Sequence, residues 1–462
     1  MRILVLLSVL ALSACSSGMT SDNMSGRRAT ISSVALPPMK HFSTKRTSLP
    51  DRSNREIAND FLDLSFKMES GRILPVMTRF EGPISLRVTG KPPASLGPDL
   101  KQLLGRLRRE AGIKITQVNP SENANITIEV MPRAKLQSLV PQAACFVVPR
   151  VSSWAEYRRQ RRSSKTSWSN LKSREQVAIF LPGDVSPQEV RDCLHEELAQ
   201  ALGPLNDLYR LPDSVFNDDN FHTILTGFDM LILRAYYAPE MHNGMTRAQA
   251  KSALPRILAR LNPRGERRQT VPSAGPTPRA WIKAIESALG PNASPATRRN
   301  AANAAVAIAR TQGWNDNRMA FSLYALGRLS LSSKTETAFN AFLNSGIIYQ
   351  SSPETRIQAA HVAMQLSAFA LSAGDGDSAL SLVNSSLPAV AASENAALLA
   401  TLLMIKAEAL DLVGRASEAR SVRLDSLGWA RYGFGTDKAV RHRLAEITAL
   451  RPRPKQTRSG SL

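Results

Sequence analysis

With 462 residues, 43% of them hydrophobic and 21% charged, the chain has the composition of a globular protein with room for two or three domains, not of an intrinsically disordered one. Lys and Arg (59) outnumber Asp and Glu (38), giving a formal charge of +21. Beyond the N-terminal apolar run no stretch is long and apolar enough to cross a bilayer as a helix, which leaves a soluble body.

Met1-Arg2 is a short positive start, Ile3 to Leu12 is an almost unbroken apolar run, and Leu12-Ser13-Ala14-Cys15 has small residues before the cysteine. This is the pattern of a lipoprotein signal peptide, so residues 1–14 are expected to be removed and Cys15 to carry acyl chains such as palmitate. Ser16 and Ser17 follow with no aspartate, as in lipoproteins sorted to the outer membrane. The expected location is the cell envelope, facing the periplasm. That compartment changes the meaning of the charge. Nucleic acid is not an expected partner there, and the available polyanions are lipid head groups, lipopolysaccharide and wall polymers. It also changes the meaning of the cysteines: Cys145 and Cys193 remain as an even pair in an oxidising space and are expected to be joined.

Residues 15–53, rich in Ser, Thr, Pro, Lys and Arg without period, read as a disordered tether. A first domain is expected over 54–263. Its elements begin with an amphipathic helix over Asn54 to Met68, a strand over Ile84 to Val88, and a helix over Leu96 to Ala111 with Leu100, Leu103, Leu104 and Leu107 on one face. A strand over Ile126 to Val130, a short helix over Leu136 to Leu139, and strands over Cys145 to Val148 and Val177 to Leu181 follow. Between the last two strands, Arg158, Arg159, Arg161, Arg162, Lys165 and Lys172 interleave with Trp154, Tyr157 and Trp168. This reads as a basic surface loop whose arginines could contact a polyanion. A helix spans Pro187 to Gly203. Breakers over 264–276 mark a linker, and 277–450 is an alanine-rich run of helices and short turns. Within it, Gly374, Ala379, Ser381, Leu382, Ser386 and Leu387 match Gly414, Ala419, Ser421, Val422, Ser426 and Leu427, so the domain resembles tetratricopeptide-type repeats. Residues 451–462 form a basic tail.

The helix from Pro187 carries the residues nearest to chemistry. Zinc peptidases place two ligands one helical turn apart with a glutamate after the first. Starting from His195, the second ligand position falls on Ala199, which cannot bind metal. Shifted by one, Glu196, Glu197, Gln200, Gly203 and Asn206 reproduce the longer metzincin spacing, with Glu197 as candidate base, but the ligand positions hold Glu, Gln and Asn. Oxygen donors of this kind favour harder ions or none. A second conceivable set is His195, His222 and Asp207. Gln200, Asn206, Asp207 and His222 are otherwise binding candidates, and no cofactor is expected beyond a possible divalent metal.

Cys193-Leu-His-Glu-Glu-Leu-Ala-Gln-Ala-Leu-Gly203 with Asn206-Asp207, Leu225-Thr-Gly-Phe-Asp229, Leu233-Arg234-Ala-Tyr236, Gly244-Met245-Thr246 and Ser426-Leu-Gly-Trp-Ala-Arg-Tyr-Gly-Phe-Gly435 together resemble the lipoproteins bearing domain of unknown function 2927, a zincin-like family. The resemblance implies an α+β domain, a mixed sheet with helices, followed here by the all-α domain. It also implies that Asp213-Ser-Val-Phe216 stands where metzincins turn beneath the metal on a methionine, a position held here by Phe216. The expected function is a non-catalytic envelope scaffold built on a degenerate metallopeptidase-like domain, its helical part binding a protein partner. The alternatives are a hydrolase of peptides or peptidoglycan using the 195–207 helix, and an envelope polyanion binder using Arg158, Arg159, Arg161 and Arg162.

Overall fold

The computed structural model describes residues 35–43, 47–270, 275–291 and 293–452. Cys15 and the lipid expected on it lie outside these residues, as do the signal peptide and the basic tail from residue 453.

The first part is built on five strands, β1 (Ile84–Gly90), β2 (Ile115–Gln117), β3 (Ile126–Met131), β4 (Phe146–Pro149) and β5 (Val177–Pro182), in the order β2-β1-β3-β5-β4. All neighbours are parallel except the edge strand β4, which runs antiparallel to β5 from the pair Phe146 and Phe180 to the pair Pro149 and Val177. The interior strand β5, between β3 and β4, is buried along its whole length, hence its unbroken apolar sequence. Around the sheet lie α1 (Asn54–Ser65), α2 (Leu96–Glu110), α3 (Arg133–Gln137), α4 (Trp154–Gln160), α5 (Pro187–Leu202), α6 (Gly227–Tyr236) and α7 (Arg247–Leu261). The stripe of Leu100, Leu103, Leu104 and Leu107 on α2 is buried as its spacing predicts. The expected elements are present with ends shifted by a few residues, and the structure adds three that the periodicity does not mark clearly: β2, α6 and α7. The basic stretch is also not a loop throughout, since α4 starts at Trp154 with Ser153 as its N-cap.

From Arg279 onward the chain is helical: α8 (Arg279–Leu289), α9 (Pro295–Thr311), α10 (Asn317–Ser330), α11 (Thr335–Gln350), α12 (Arg356–Ser372), α13 (Gly376–Ala392), α14 (Ala396–Leu412), α15 (Ala416–Phe434) and α16 (Asp437–Thr448). Successive helices pack side by side. Small residues make this possible: a methyl group on Gly327 of α10 would stand 2.7 Å from the ring of Phe342 on α11. Gly374 and Gly414, aligned in the sequence, end α12 and α14 with φ of +81° and +79°, a conformation that costs glycine nothing.

Contacts at several places join the parts. The loop between α5 and α6 inserts Tyr209 and Phe221 into the core of the helical domain, where Tyr209 meets Trp281 edge-on at 5.0 Å and Phe221 lies among Phe321, Tyr324, Tyr349 and His361. Residues 35–43, inside the stretch read as a tether, lie along α15: Lys40 N–H donates to the Gly428 carbonyl at 3.1 Å, and Phe42 stacks on Trp429 at 4.4 Å.

Cys145, just before the edge strand, is bonded to Cys193 of α5 across a Cα–Cα distance of 5.9 Å. The bridge closes a loop of 48 residues and pins α5 to the sheet edge. Chain-entropy arguments give such a loop about 4 kcal/mol at most. Replacing both cysteines by alanine is therefore expected to lower unfolding stability by about 2–4 kcal/mol in urea titration.

Candidate functional site

The site is built on α5, and both ends of that helix are fixed. At the N-terminus Ser186 accepts the Glu189 N–H and Pro187 occupies the first turn, where a missing N–H costs nothing. At the C-terminus the buried Arg174 guanidinium donates to the carbonyls of Gln200 at 2.6 Å, Ala201 at 2.7 Å and Gly203, and Trp168 covers it at 4.9 Å. Cation and orphan carbonyls satisfy each other at the negative end of the helix dipole. Gly203 itself allows a close approach, since a Cβ there would stand 3.1 Å from the Tyr236 ring.

The polar residues of α5 and the loop after it are largely committed. His195 is buried, and its Nδ1 accepts the Leu225 N–H at 3.1 Å. Burial, helped by Arg191 and Arg106, pushes the imidazole well below its usual range, so the ring is held neutral with its proton on Nε2. Asn206 donates to the Asp63 carbonyl at 2.9 Å, closing the loop onto α1. Gln200 and Glu197 are buried, and Asp207 is half-buried. Phe216, at the position where the zincin resemblance expects the turn beneath a metal, is fully buried in the core. The turn there is held by Asp229, which accepts from Ser214 Oγ at 2.5 Å and from the Val215 N–H at 3.1 Å.

Two of the residues singled out in the sequence do meet. Glu196 and His222 line one cavity of about 220 Å³ between α5 and helices α12, α14 and α15, and His222 Nε2 lies 3.0 Å from the Pro212 carbonyl. His195, Glu197, Gln200, Asn206 and Asp207 are not part of its lining. Among the described residues no group of three or more His, Cys, Asp and Glu side chains is placed to hold a metal ion, so His195, His222 and Asp207 do not come together as one set. With a glutamate, a glutamine and an asparagine at the ligand positions and His195 Nδ1 taken by backbone, the donors present do not fit zinc.

The residues that sequence reasoning passed over are those that tie α5 to the helical domain. Gln188 accepts the Ala397 N–H at 2.8 Å and donates to Asn395 Oδ1 at 3.1 Å. Arg191 donates to the Glu394 carbonyl at 2.9 Å, reaches the Glu394 carboxylate at 3.2 Å, and lies over the rings of Phe42 and Tyr432. Tyr432 in turn donates to Asp99 at 2.7 Å. The available signal was the Ser426–Gly435 motif. Gly428 admits Lys40 and the Pro38 carbonyl, Arg431 donates to the Pro37 carbonyl, and Gly435, at φ +82°, lies against Ser186.

Arg158, Arg159, Arg161 and Arg162 are exposed at and beyond the end of α4. The aromatic residues interleaved with them face inward, Trp154 and Tyr157 packing on Phe146 and Phe180, and Trp168 on Arg174. No aromatic platform for stacked bases results.

Residues 54–256 match the model of a family described as a protein of unknown function (DUF2927). No curated protein and no solved structure matches the chain. The matched segment is the sheet with α1 to α6 and most of α7, and the helical region lies beyond it.

His195 gives a pH test. Its folded pKa is depressed below the unfolded 6.5, so the unfolded chain binds the extra proton and stability falls as pH drops below 6.5. Relative to His195→Gln, the parent protein is expected to lose up to about 1.4 kcal/mol per pH unit below that point, read from urea unfolding at pH 5 to 7.5.

Proposed function

We propose that the chain is an outer-membrane lipoprotein facing the periplasm, anchored through lipid on Cys15, that acts as a non-catalytic scaffold. In this reading a degenerate zincin-like domain is joined to a tetratricopeptide-like helical domain, and the helix that carries chemistry in a peptidase serves as the joint. The observation that carries it is the use made of α5: Gln188 and Arg191 bind the helical domain, His195 and Asn206 hold neighbouring backbone, and Arg174 caps its end. Polar groups engaged in this way support a joint rather than a site that binds metal or activates water. The reading of a protein partner is supported by α11, where Phe339, Leu343 and Ile347 lie one turn apart and remain 39%, 39% and 67% exposed.

The test is metal content and cleavage. Purified protein incubated with zinc and dialysed is expected to retain less than about 0.1 zinc per chain by mass spectrometry, and to leave peptide and peptidoglycan substrates intact. One zinc per chain, with cleavage that is lost on chelation and in Glu197→Gln, would overturn the scaffold reading in favour of the hydrolase.

A second reading, an envelope polyanion binder, is favoured by one observation. The exposed Arg158, Arg159, Arg161 and Arg162 form no ion pair with any described residue, while Glu156 is taken by Lys165. On vesicles containing anionic lipid, replacing all four by glutamine is expected to reduce binding at least about tenfold at low salt, and the difference should shrink as salt is raised.

A further inference from the structure

The cavity beside α5 stands apart from the rest of the molecule in its charge. The chain carries +21, yet among the described residues no lysine or arginine lines the cavity, while Asp192 and Glu196 stand one turn apart on the α5 face that borders it. Glu189, on the same face, is already paired with Arg133. His361 reaches the wall from α12; it is 6% exposed, and its Nε2 has no hydrogen-bond partner among the described residues. One oxygen of Asp192, Oδ1, is likewise buried without a partner. The remaining wall is largely apolar, with Met364 and Phe434 from the helical domain. A buried polar atom left unsatisfied costs on the order of 1–3 kcal/mol, and Asp192 and His361, two of the residues that line the cavity, each keep one such atom with acceptor capacity unspent.

We propose that this cavity is a binding site for a compact organic cation, a primary amine of amino-acid size. Its ammonium would donate to Asp192 and Glu196, its hydrocarbon body would lie against Met364 and Phe434, and a second donor, where the ligand has one, would meet the neutral imidazole of His361. The volume, about 220 Å³, suits a molecule of roughly five to ten non-hydrogen atoms and is smaller than most drug-sized sites. Neutral His361 is the protonation state this arrangement needs, because burial, with Arg328 and His222 near, pushes its pKa down to about 3. Burial also pushes the Asp192 carboxyl well above its usual range, despite the adjacent Arg191. A cation seated beside Asp192 reverses that shift, so binding should release protons. The site is formed by two domains at once, which makes its occupant a clamp on their joint. It does not depend on the scaffold reading, since a hydrolase or a polyanion binder with this fold would hold the same cavity.

The experiment is calorimetric titration of the full soluble chain with pentylamine, cadaverine, 1-pentanol and glutarate. Both amines are expected to bind with Kd in the range of about 0.1–1 mM, with proton release detected by comparing two buffers of different ionisation enthalpy, and neither 1-pentanol nor glutarate should bind at 10-fold higher concentration. Asp192→Asn and Glu196→Gln should each weaken the amines about tenfold or more, while melting at temperatures near that of the parent. Met364→Trp, which fills the volume from the opposite wall, should abolish binding without touching either carboxylate. Failure of both amines to bind, equal binding of 1-pentanol, or unchanged amine affinity in the two carboxylate variants would each overturn the proposal. Because the zinc test reads metal and cleavage and this one reads amine affinity, the two readings fail separately.

Discussion

The insertion of Tyr209 and Phe221 into the helical domain governs much of what this molecule can do. Both rings belong to the loop that follows α5, yet both are buried in the second core, among Trp281, Phe321, Tyr324 and Tyr349. Truncating a buried aromatic of this kind typically costs about 3–5 kcal/mol, far more than one surface ion pair returns. The loop is also held at its backbone: Asn317 donates to the Tyr209 carbonyl at 2.6 Å, and Gln358 to the Pro212 carbonyl at 2.6 Å. In a peptidase the segment after the active-site helix must present a ligand and border an open cleft. Here that segment is an anchor, and the space beside the helix is roofed by α12, α14 and α15.

From this constraint the arrangement of α5 follows. A helix clamped by Arg174 at one end, by the Cys145–Cys193 bridge in its middle and by Gln188 and Arg191 against α14 cannot slide or rotate without breaking buried polar contacts. Arg191 shows how tightly the contacts are nested. Its guanidinium pairs with Glu394 while covering Phe42 from the N-terminal segment and Tyr432 from α15, so three distant pieces of chain meet on one cation. Breaking a buried pair such as Arg191–Glu394 leaves an uncompensated charge, which costs about 3–5 kcal/mol. Rigid coupling of this kind suits a scaffold, in which the relative placement of two surfaces is the property that matters.

The sheet and α5 were legible because their signals are local. β5 is a continuous apolar run, α2 carries a leucine stripe, and α5 opens with Ser186-Pro187 before its periodic residues. Pairing of Cys145 with Cys193 could be expected because only two cysteines remain after Cys15. What was not legible is tertiary. β2 has only three residues and takes its place by pairing with β1. α4 hides in a basic stretch because its inward face is aromatic and its outward face arginine, which reads as a basic surface loop until the sheet beneath it is known. The helix spacing resembles that of a metzincin, but spacing alone does not tell which side chains are spent on backbone. His195 and Asn206 could be assigned only once Leu225 and Asp63 were seen beside them.

The cavity is the consequence that sequence patterns conceal most fully. Asp192 and Glu196 are four residues apart on one helix, which by itself describes any solvated acidic face. Their surroundings change the meaning: the opposite wall comes from residues 361 to 434, far along the chain, and the imidazole and thioether it brings are neutral. A fold that merely stacked one domain on another would be expected to fill such a gap with apolar side chains, whereas here two carboxylate-bearing residues border it. Among the described residues no lysine or arginine stands in the cavity wall. A net positive chain that borders one partly open space at the domain joint with carboxylates, and with no described lysine or arginine in its lining, has the arrangement that electrostatics favours where a cation from outside is to be received.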